Sequence, residues 1–278
     1  MSNDYLEPLA SLLSLKMPNE RNPDHWIDYR TLGIGDDHIG DLLRMMSDPD
    51  LNTCETDAIW APVHALRALG QLHPTDVFQD LLEFMTDQDH GYDIDWFFGD
   101  AEFVLAMFGP SVIPSLQAFL MNDEIVDIAR MTAASALAEI AKRFPDTRTE
   151  CIAALMHRLD HFNPEDGGLN GSVALTLGVM KAVDAYPAIK AVYEANAVDA
   201  FFFGDLEDRE IQLGLREQRS KASQLPAGKR TSMGPSPFFS PFHSSMPTIP
   251  LAPRDEVKAK KKAKRKLAQS QRKRNRSR

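Results

Sequence analysis

The sequence predicts an all-α protein: an α-solenoid of about five helix-hairpin repeats, followed by a disordered C-terminal linker and a basic tail. Three observations lead to this prediction. Apolar residues recur every three or four positions through residues 1–215, without the alternation typical of strands. Proline or glycine interrupts this pattern at similar points of successive helix pairs. After residue 215 the periodicity ends, and residues 258–278 contain 12 Lys or Arg and no acidic residue.

The N-terminal elements are the least regular. Asp4–Leu15 is predicted as one amphipathic helix, and Trp26–Leu32 and His38–Met46 are predicted as a helix pair interrupted by Gly33-Ile34-Gly35. The terminal repeats of a solenoid cover an otherwise exposed core face, so an atypical start is expected.

The next pair shows the clearest signals. A broad apolar face is predicted from Trp60 to Gly70, with Asp57 as the N-cap and Pro62 in the first turn, where a missing N–H costs little. His73-Pro74 predicts the end of this helix near Leu72. Thr75 is then predicted to cap a second helix, Asp76–Thr86.

The helix–turn–helix unit recurs along the rest of the domain. The turns fall at Gly70, Gly109, Lys142 and Asp184, which are 39, 33 and 42 residues apart. Such irregular periods are typical of α-solenoids, whereas a helix bundle does not require the repeated stop. The predicted helices cover residues 97–108, 112–120, 125–143, 151–162, 169–182 and 188–195, and an acidic segment with an aromatic cluster covers 199–215.

The segment WAPVHALRALGQL, residues 60–72, resembles the opening of HEAT-like repeats of the kind found in phycobilisome lyases. More closely, it is similar to an uncharacterised group of bacterial HEAT-repeat proteins, and FGPSVIP (108–114) and ECIAAL (150–155) are further matches. The resemblance covers roughly residues 20–215 and implies a HEAT-like fold. It leaves function open, because such repeats serve many roles. Some relatives end in a Cys-rich metal module, which is not expected here because no cysteine follows Cys151.

Composition restricts the classes of function. The chain has 40 acidic and 31 basic residues, a net charge of −9, but residues 1–215 alone carry 37 acidic and 13 basic residues. No apolar run reaches the roughly 20 residues of a membrane span. Cys54 and Cys151 form no CxxC pair, so neither a disulfide scaffold nor a zinc ribbon is predicted. We therefore predict a cytoplasmic protein that contacts no membrane.

Two groups have the residue types of metal ligands. His157, Asp160 and His161 share a helix face, as zinc ligands do, but they also suit a solvated helix C-terminus. An acidic loop around Gly91 contains Asp87, Asp89, Asp93 and Asp95, which are possible calcium ligands, but Phe98 stands where a calcium loop needs a glutamate. The alternative is a loop between repeats whose carboxylates cap the next helix. The sequence predicts no metal and no cofactor.

The predicted partner-binding residues lie on two helices. Trp60, His64 and Arg67 come from the recognised repeat, and Trp96 and Phe97 come from an aromatic run. Large aromatic and arginine side chains are common anchors in protein interfaces. The same residues can also belong to the packing between repeats, and so can Phe201–Phe203.

The predicted C-terminal region has two parts. Residues 216–257 contain seven prolines and read as a disordered linker, and residues 258–278 are a Lys/Arg-rich disordered tail. A tail with this charge is predicted to bind RNA, DNA or the ribosome. A solubilising role and docking onto the acidic solenoid are the alternatives. The predicted nucleic-acid contacts are Lys258, Lys260, Lys261, Lys262, Lys264, Arg265, Lys266, Arg272, Lys273, Arg274, Arg276 and Arg278.

These observations predict a non-enzymatic scaffold that binds an unknown protein partner and whose tail tethers it to RNA or DNA. No catalytic constellation is recognisable, since no serine or cysteine stands near His64 in a sharp turn and no glycine-rich phosphate loop is present. The alternative, implied only by the resemblance, is an enzyme or enzyme subunit of the bilin-lyase type.

Overall fold

The structure is a computed structural model that describes residues 5–18, 20–87 and 90–220. The predicted tail and all of the predicted linker after Ser220 lie outside these residues. Within the described part, the chain is all-helical and contains no strand, as the sequence predicts. The described residues belong to one unit with a continuous apolar core.

The N-terminal region contains short 3-10 turns in place of the predicted helices. The predicted helix Asp4–Leu15 is wrong over its described part, where only the 3-10 helix Leu9–Ser14 forms. Pro8 precedes it, and a proline disfavours the α conformation of the residue before it. The predicted helix Trp26–Leu32 is also wrong, because Trp26 is extended and only Tyr29–Leu32 forms a 3-10 turn. Helix α1 (Ile39–Met46) agrees with the prediction.

The helices that follow lie close to their predicted positions. They are α2 (Ala61–Leu72), α3 (Val77–Thr86), α4 (Asp95–Met107), α5 (Ile113–Met121), α6 (Asp127–Arg143), α7 (Arg148–Asp160), α8 (Gly167–Val179), α9 (Tyr186–Glu194), α10 (Ala200–Phe203) and α11 (Leu206–Leu213). The predicted ends of α2 and α6 are confirmed, at His73 (φ 40°) and at Phe144-Pro145. The predicted caps Asp57 and Thr75 are wrong, since Trp60 and Asp76 occupy those N-cap positions.

The helices pack in a regular order. Helix α2 packs against α4, α4 against α6, and α6 against α8, and both α10 and α11 pack on α8. Helices α5, α7 and α9 are likewise neighbours, and α5 and α7 both contact α6. At two places a glycine permits close approach. A Cβ on Gly70 would lie 3.0 Å from the sulfur of Met107, and one on Gly171 would lie 2.6 Å from the ring of Phe203.

A buried charged cluster joins α6, α7 and α8. Arg130 donates to Asp127 (2.8 Å), Asp123 (2.7 Å) and Asp166 (3.1 Å), while Arg158 donates to the same Asp166 (3.0 Å). The side chains of Arg130 and Arg158 are 3% and 1% exposed. Since a buried charge that loses its partner is costly, Asp166 stabilises the packing of these three helices.

The described chain keeps contact with the domain beyond the predicted boundary at Leu215. Gly214, with φ 79°, ends α11 and turns the chain back. Arg216 then pairs with Glu210 (2.7 Å), and Arg219 pairs with Asp205 and Asp208. These ion pairs partly neutralise the acidic surface of α11.

The helices of the described residues are short for a membrane span. None of them alone has the length and apolar composition to cross a bilayer. The pair Asp95–Met107 and Pro110–Met121 meets both requirements together but bends by 109° at the break.

Candidate functional site on helices α2 and α4

Helix α2 carries a row of polar side chains on one face. His64, Arg67 and Gln71 lie at positions i, i+3 and i+7, so they project from the same side of the helix. His64 is 2% exposed and Arg67 is 5% exposed. They are buried because the chain's own N-terminal strap, defined as residues 15–28 apart from Asn19, contacts them.

His64 holds the start of the strap. Its Nε2 lies 2.9 Å from the carbonyl oxygen of Lys16, and its Nδ1 lies 2.7 Å from the hydroxyl of Tyr29. A carbonyl oxygen only accepts, so Nε2 carries the proton and Nδ1 accepts from Tyr29. Burial lowers the pKa of His64, which favours this neutral form. Burial also raises the pKa of Tyr29 and keeps its hydroxyl protonated as the donor.

Arg67 connects the strap to helix α4. Its Nε and Nη2 donate to the two carboxylate oxygens of Asp100 at 2.7 and 3.2 Å, a bidentate pair in which both side chains are buried. Nη2 also donates to the carbonyl oxygen of Glu20 at 2.9 Å. The ring of Trp26 lies over the guanidinium, 4.2 Å from its carbon atom, and the indole N–H donates to the same Glu20 carbonyl at 2.9 Å.

Gln71 binds the end of the strap through both the nitrogen and the oxygen of its side-chain amide. Its nitrogen donates to the carbonyl oxygen of Ile27 at 2.8 Å, and its oxygen accepts from the backbone N–H of Tyr29 at 3.0 Å. The side-chain amide thus pairs with peptide groups on both sides of Asp28, as a neighbouring backbone does in a sheet.

Helix α4 adds an acidic and an aromatic contact. Glu102 lies 3.3 Å from Arg21 of the strap, and Phe103 meets Trp26 edge to face at 6.3 Å between ring centroids. Burial raises the pKa of Glu102 to about 7, with the charge of Glu139 on α6 adding to the effect, while Arg21 opposes it. The strap therefore meets a carboxyl group that titrates near neutral pH.

These contacts are of two kinds. Three side chains of α2 bind main-chain carbonyl groups of the strap, and Gln71 also accepts from the N–H of Tyr29 just after it. Main-chain groups of this kind are offered by every sequence. Two side chains of the strap, Arg21 and Trp26, have specific partners in Glu102, Phe103 and Arg67. The face can therefore bind an extended polypeptide, with the side-chain preference confined to one basic and one aromatic residue.

The other predicted partner-binding residues lie elsewhere. Trp60 and Trp96 are half-buried, and the indole N–H of Trp96 donates to Asn52 at 2.9 Å. Phe97 is 0% exposed and packs against Phe84 in the core, so it offers no surface to a partner. The structure brings His64 and Arg67 together at the strap and places Trp96 and Phe97 in a separate aromatic group.

The predicted site residues do not include Trp26, Gln71, Asp100 or Glu102, which belong to the site. Gln71 could have been found by extending the helical spacing from His64 and Arg67 by one turn. Asp100 and Glu102 could have been noticed as acids on an otherwise apolar helix. Trp26 gives no such signal, because its role depends on the extended chain around it.

The two candidate metal groups form other contacts. His161 Nδ1 lies 2.9 Å from the carbonyl oxygen of His157, one turn earlier. In the acidic loop, Asp93 accepts from the N–H of Asp95 at 2.8 Å, whereas Asp89 lies outside the described residues. Across residues 5–18, 20–87 and 90–220, no group of three or more His, Cys, Asp or Glu is arranged to hold a metal ion.

The aromatic run at the C-terminal end is divided between core and surface. Phe203 is 3% exposed and packs on Gly171 of α8, whereas Phe201 and Phe202 are 71% and 45% exposed. The two exposed rings contact each other edge to face at 5.0 Å.

Comparisons with known proteins add no relative. No protein-family model matches the chain. Searches of the curated proteins and of the solved structures find no match either.

Proposed function

We propose that the protein is a non-enzymatic scaffold, an α-solenoid of HEAT-like helix pairs that binds a protein partner through its helical domain. The order of packing, from α2 to α4, α6 and α8, supports the solenoid. The resemblance of residues 60–72 to HEAT-like repeats supports the family assignment.

The observation that carries the binding role is the strap on helix α2. His64, Arg67 and Gln71 bind main-chain groups of a segment that is extended except for the 3-10 turn Pro23–His25. Arg67 is held in place by Asp100. Side chains that satisfy peptide groups are what a protein needs in order to bind an extended partner segment. A face of this kind suits the binding of a polypeptide better than catalysis.

The proposal also assigns the basic tail to nucleic acid. Residues 258–278, outside the described residues, carry 12 positive charges, while residues 1–215 carry a net charge of −24. A polyanion neutralises such a tail and releases its counterions. The acidic helical domain repels nucleic acid, so contact is expected through the tail alone, which would act as a tether.

One experiment separates the two roles. The full chain and a full-length variant with Lys260, Lys261, Lys262, Lys264, Arg265 and Lys266 changed to Gln are purified in parallel from cells, with and without nuclease. We expect RNA or DNA to co-purify with the wild type alone, and the same protein partner to remain with both after nuclease treatment. Equal nucleic-acid recovery from both chains contradicts the tether, and loss of every protein after nuclease treatment contradicts the scaffold.

Binding of labelled oligonucleotides gives the quantitative test of the tether. If about half of the tail charges contact phosphates, the logarithm of affinity falls against the logarithm of salt concentration with a slope of about −5 for duplex DNA and about −4 for single strands. Fluorescence anisotropy at several salt concentrations measures the slope. The six-Gln variant halves the basic residues of the tail, so its slope should be shallower by about half, and an unchanged slope contradicts the assignment.

A further inference from the structure

The strap is attached to the domain in an unusual way. Among the described residues, no backbone–backbone hydrogen bond joins residues 15–28 to an α-helix. The two backbone bonds that leave the strap lie at its ends and join Leu15 and Asp28 to the flanking 3-10 helices. The attachments to the helices are hydrogen bonds from side chains of α2 to strap carbonyls, the Arg21–Glu102 pair, and the ring contacts of Trp26 with Arg67 and Phe103. A segment held in this way can leave without breaking any hydrogen bond of the helices.

Little of the strap is buried. Of its described side chains, Trp26 alone is buried, and the others are half-buried or exposed. Ile27, whose carbonyl accepts from Gln71, is itself 40% exposed. The apolar contribution to holding the strap comes from the indole ring of Trp26 and from Leu15, which is partly buried against the core.

The face beneath the strap presents polar groups that need hydrogen-bond partners when they are covered. His64 and Arg67 are almost completely buried, and with the strap removed their groups that bind Lys16 and Glu20 would lack these partners. A purely apolar cover would leave those donors unsatisfied, which is costly, whereas any extended peptide supplies the carbonyls. The chemistry of the face thus selects a polypeptide backbone.

We propose that this α2–α4 face is the partner-binding site, that the strap occupies it in the free protein, and that the partner enters as an extended peptide that displaces the strap. This inference rests on the proposed scaffold function and names its binding site. The strap also specifies the partner's chemistry, because Glu102 accepts a basic side chain and Arg67 with Phe103 accepts an aromatic ring. The partner segment carries a basic residue about five positions before a tryptophan or another aromatic residue.

The test uses the full chain and a labelled peptide with the sequence of residues 15–32. A tethered occupant acts at an effective concentration of order millimolar. A peptide with a Kd of about 10–100 μM for the empty face therefore binds the occupied face about 10–100-fold more weakly. We expect the Trp26→Ala chain, in which the strap is weakened, to bind the wild-type peptide at least about tenfold more tightly than the wild-type chain does.

Two matched controls define the site. Adding Gln71→Ala to Trp26→Ala should reverse the gain, since it removes the contacts with Ile27 and Tyr29 without touching the core. A peptide with its own Trp26→Ala substitution should bind the Trp26→Ala chain at least about tenfold more weakly than the wild-type peptide. If the Trp26→Ala chain keeps its helical circular dichroism and binds neither peptide, the proposal is overturned.

Hydrogen exchange of the wild-type chain tests the proposal independently of any variant. Peptide groups of the strap should exchange at least about tenfold faster than those of α4, and excess peptide should accelerate them further. Protection of the strap equal to that of α4 overturns the proposal. A dimer detected by light scattering, which would indicate that copies exchange their straps, also overturns it. If peptide binding fails but a nuclease-resistant partner still co-purifies, the site is wrong and the scaffold function stands. If the peptide binds and no partner co-purifies, the site stands and the scaffold function fails.

Discussion

Replacing Glu102 by Gln should stabilise the protein at alkaline pH and remove a component of its pH dependence. The side chain is 8% exposed, and burial is the main cause that raises its pKa from 4.5 to about 7. The folded state therefore holds this proton more tightly than the unfolded state. The stability from Glu102 is fully present below about pH 4.5 and is lost as the pH rises through about 7. At about 1.4 kcal/mol per pKa unit, the total loss is about 3 kcal/mol.

The measurement is the free energy of unfolding by urea, followed by far-UV circular dichroism, for the wild type and Glu102→Gln. Between about pH 5 and pH 8, the stability of the variant relative to the wild type should rise by about 2–3 kcal/mol. Histidines contribute equally to both proteins and cancel in the difference. Glu124→Gln, which neutralises an exposed carboxylate, is the matched control and should show no comparable rise. A difference for Glu102→Gln that is constant with pH, or that falls as the pH rises, refutes the reasoning.

Three further substitutions test the packing, each by the same urea titration. Asp166→Asn leaves the buried Arg158 without a carboxylate and removes one of the three that Arg130 binds, so it should cost about 3–5 kcal/mol. Asp127→Asn, at a half-exposed partner of the same cluster, should cost less than about 1 kcal/mol, and equal costs would contradict the bridging role. Gly171→Ala should cost about 1–3 kcal/mol because its Cβ would lie 2.6 Å from the ring of Phe203. Its control is Gly99→Ala in α4, where no atom lies within 4 Å of the added Cβ, and this substitution should stabilise by about 0.5–1 kcal/mol. The opposite order would be inconsistent with the close contact of Gly171 with Phe203. Tyr29→Phe leaves a buried imidazole nitrogen unpaired and should cost about 1–3 kcal/mol, and an unchanged midpoint would show that this hydrogen bond does not contribute.

The helix boundaries that the sequence predicts well are those that depend on local chemistry. Phe144-Pro145 ends α6 because a proline cannot continue the hydrogen-bond ladder, and His73-Pro74 ends α2 for the same reason. The failures at the N-terminus have a different origin. Leucines at helical spacing in residues 9–13 fit a 3-10 helix as well as an α-helix, and the prediction gave no weight to Pro8.

The candidate site was predictable only in part. The helical spacing of His64 and Arg67 places them on one face, because that spacing is a property of the helix alone. What covers the face is determined by contacts between residues far apart in sequence, such as His64 with Lys16 and Gln71 with Ile27. An extended segment has no periodicity from which its docking could be read, so the strap does not appear in a pattern analysis.

Arg67 couples the packing of α2 against α4 to the binding of a chain on the α2–α4 face. The same guanidinium binds Asp100 on α4 and the carbonyl of Glu20 on the strap, beneath the ring of Trp26. Any change in the spacing of α2 and α4 that alters the Arg67–Asp100 geometry therefore alters the affinity of the face for the chain above it. Thermodynamic linkage makes the effect reciprocal: whatever occupies the face changes the free energy of altering the α2–α4 spacing by the same amount. The mechanical stiffness of the helical array and the occupancy of its surface are thus one coupled equilibrium.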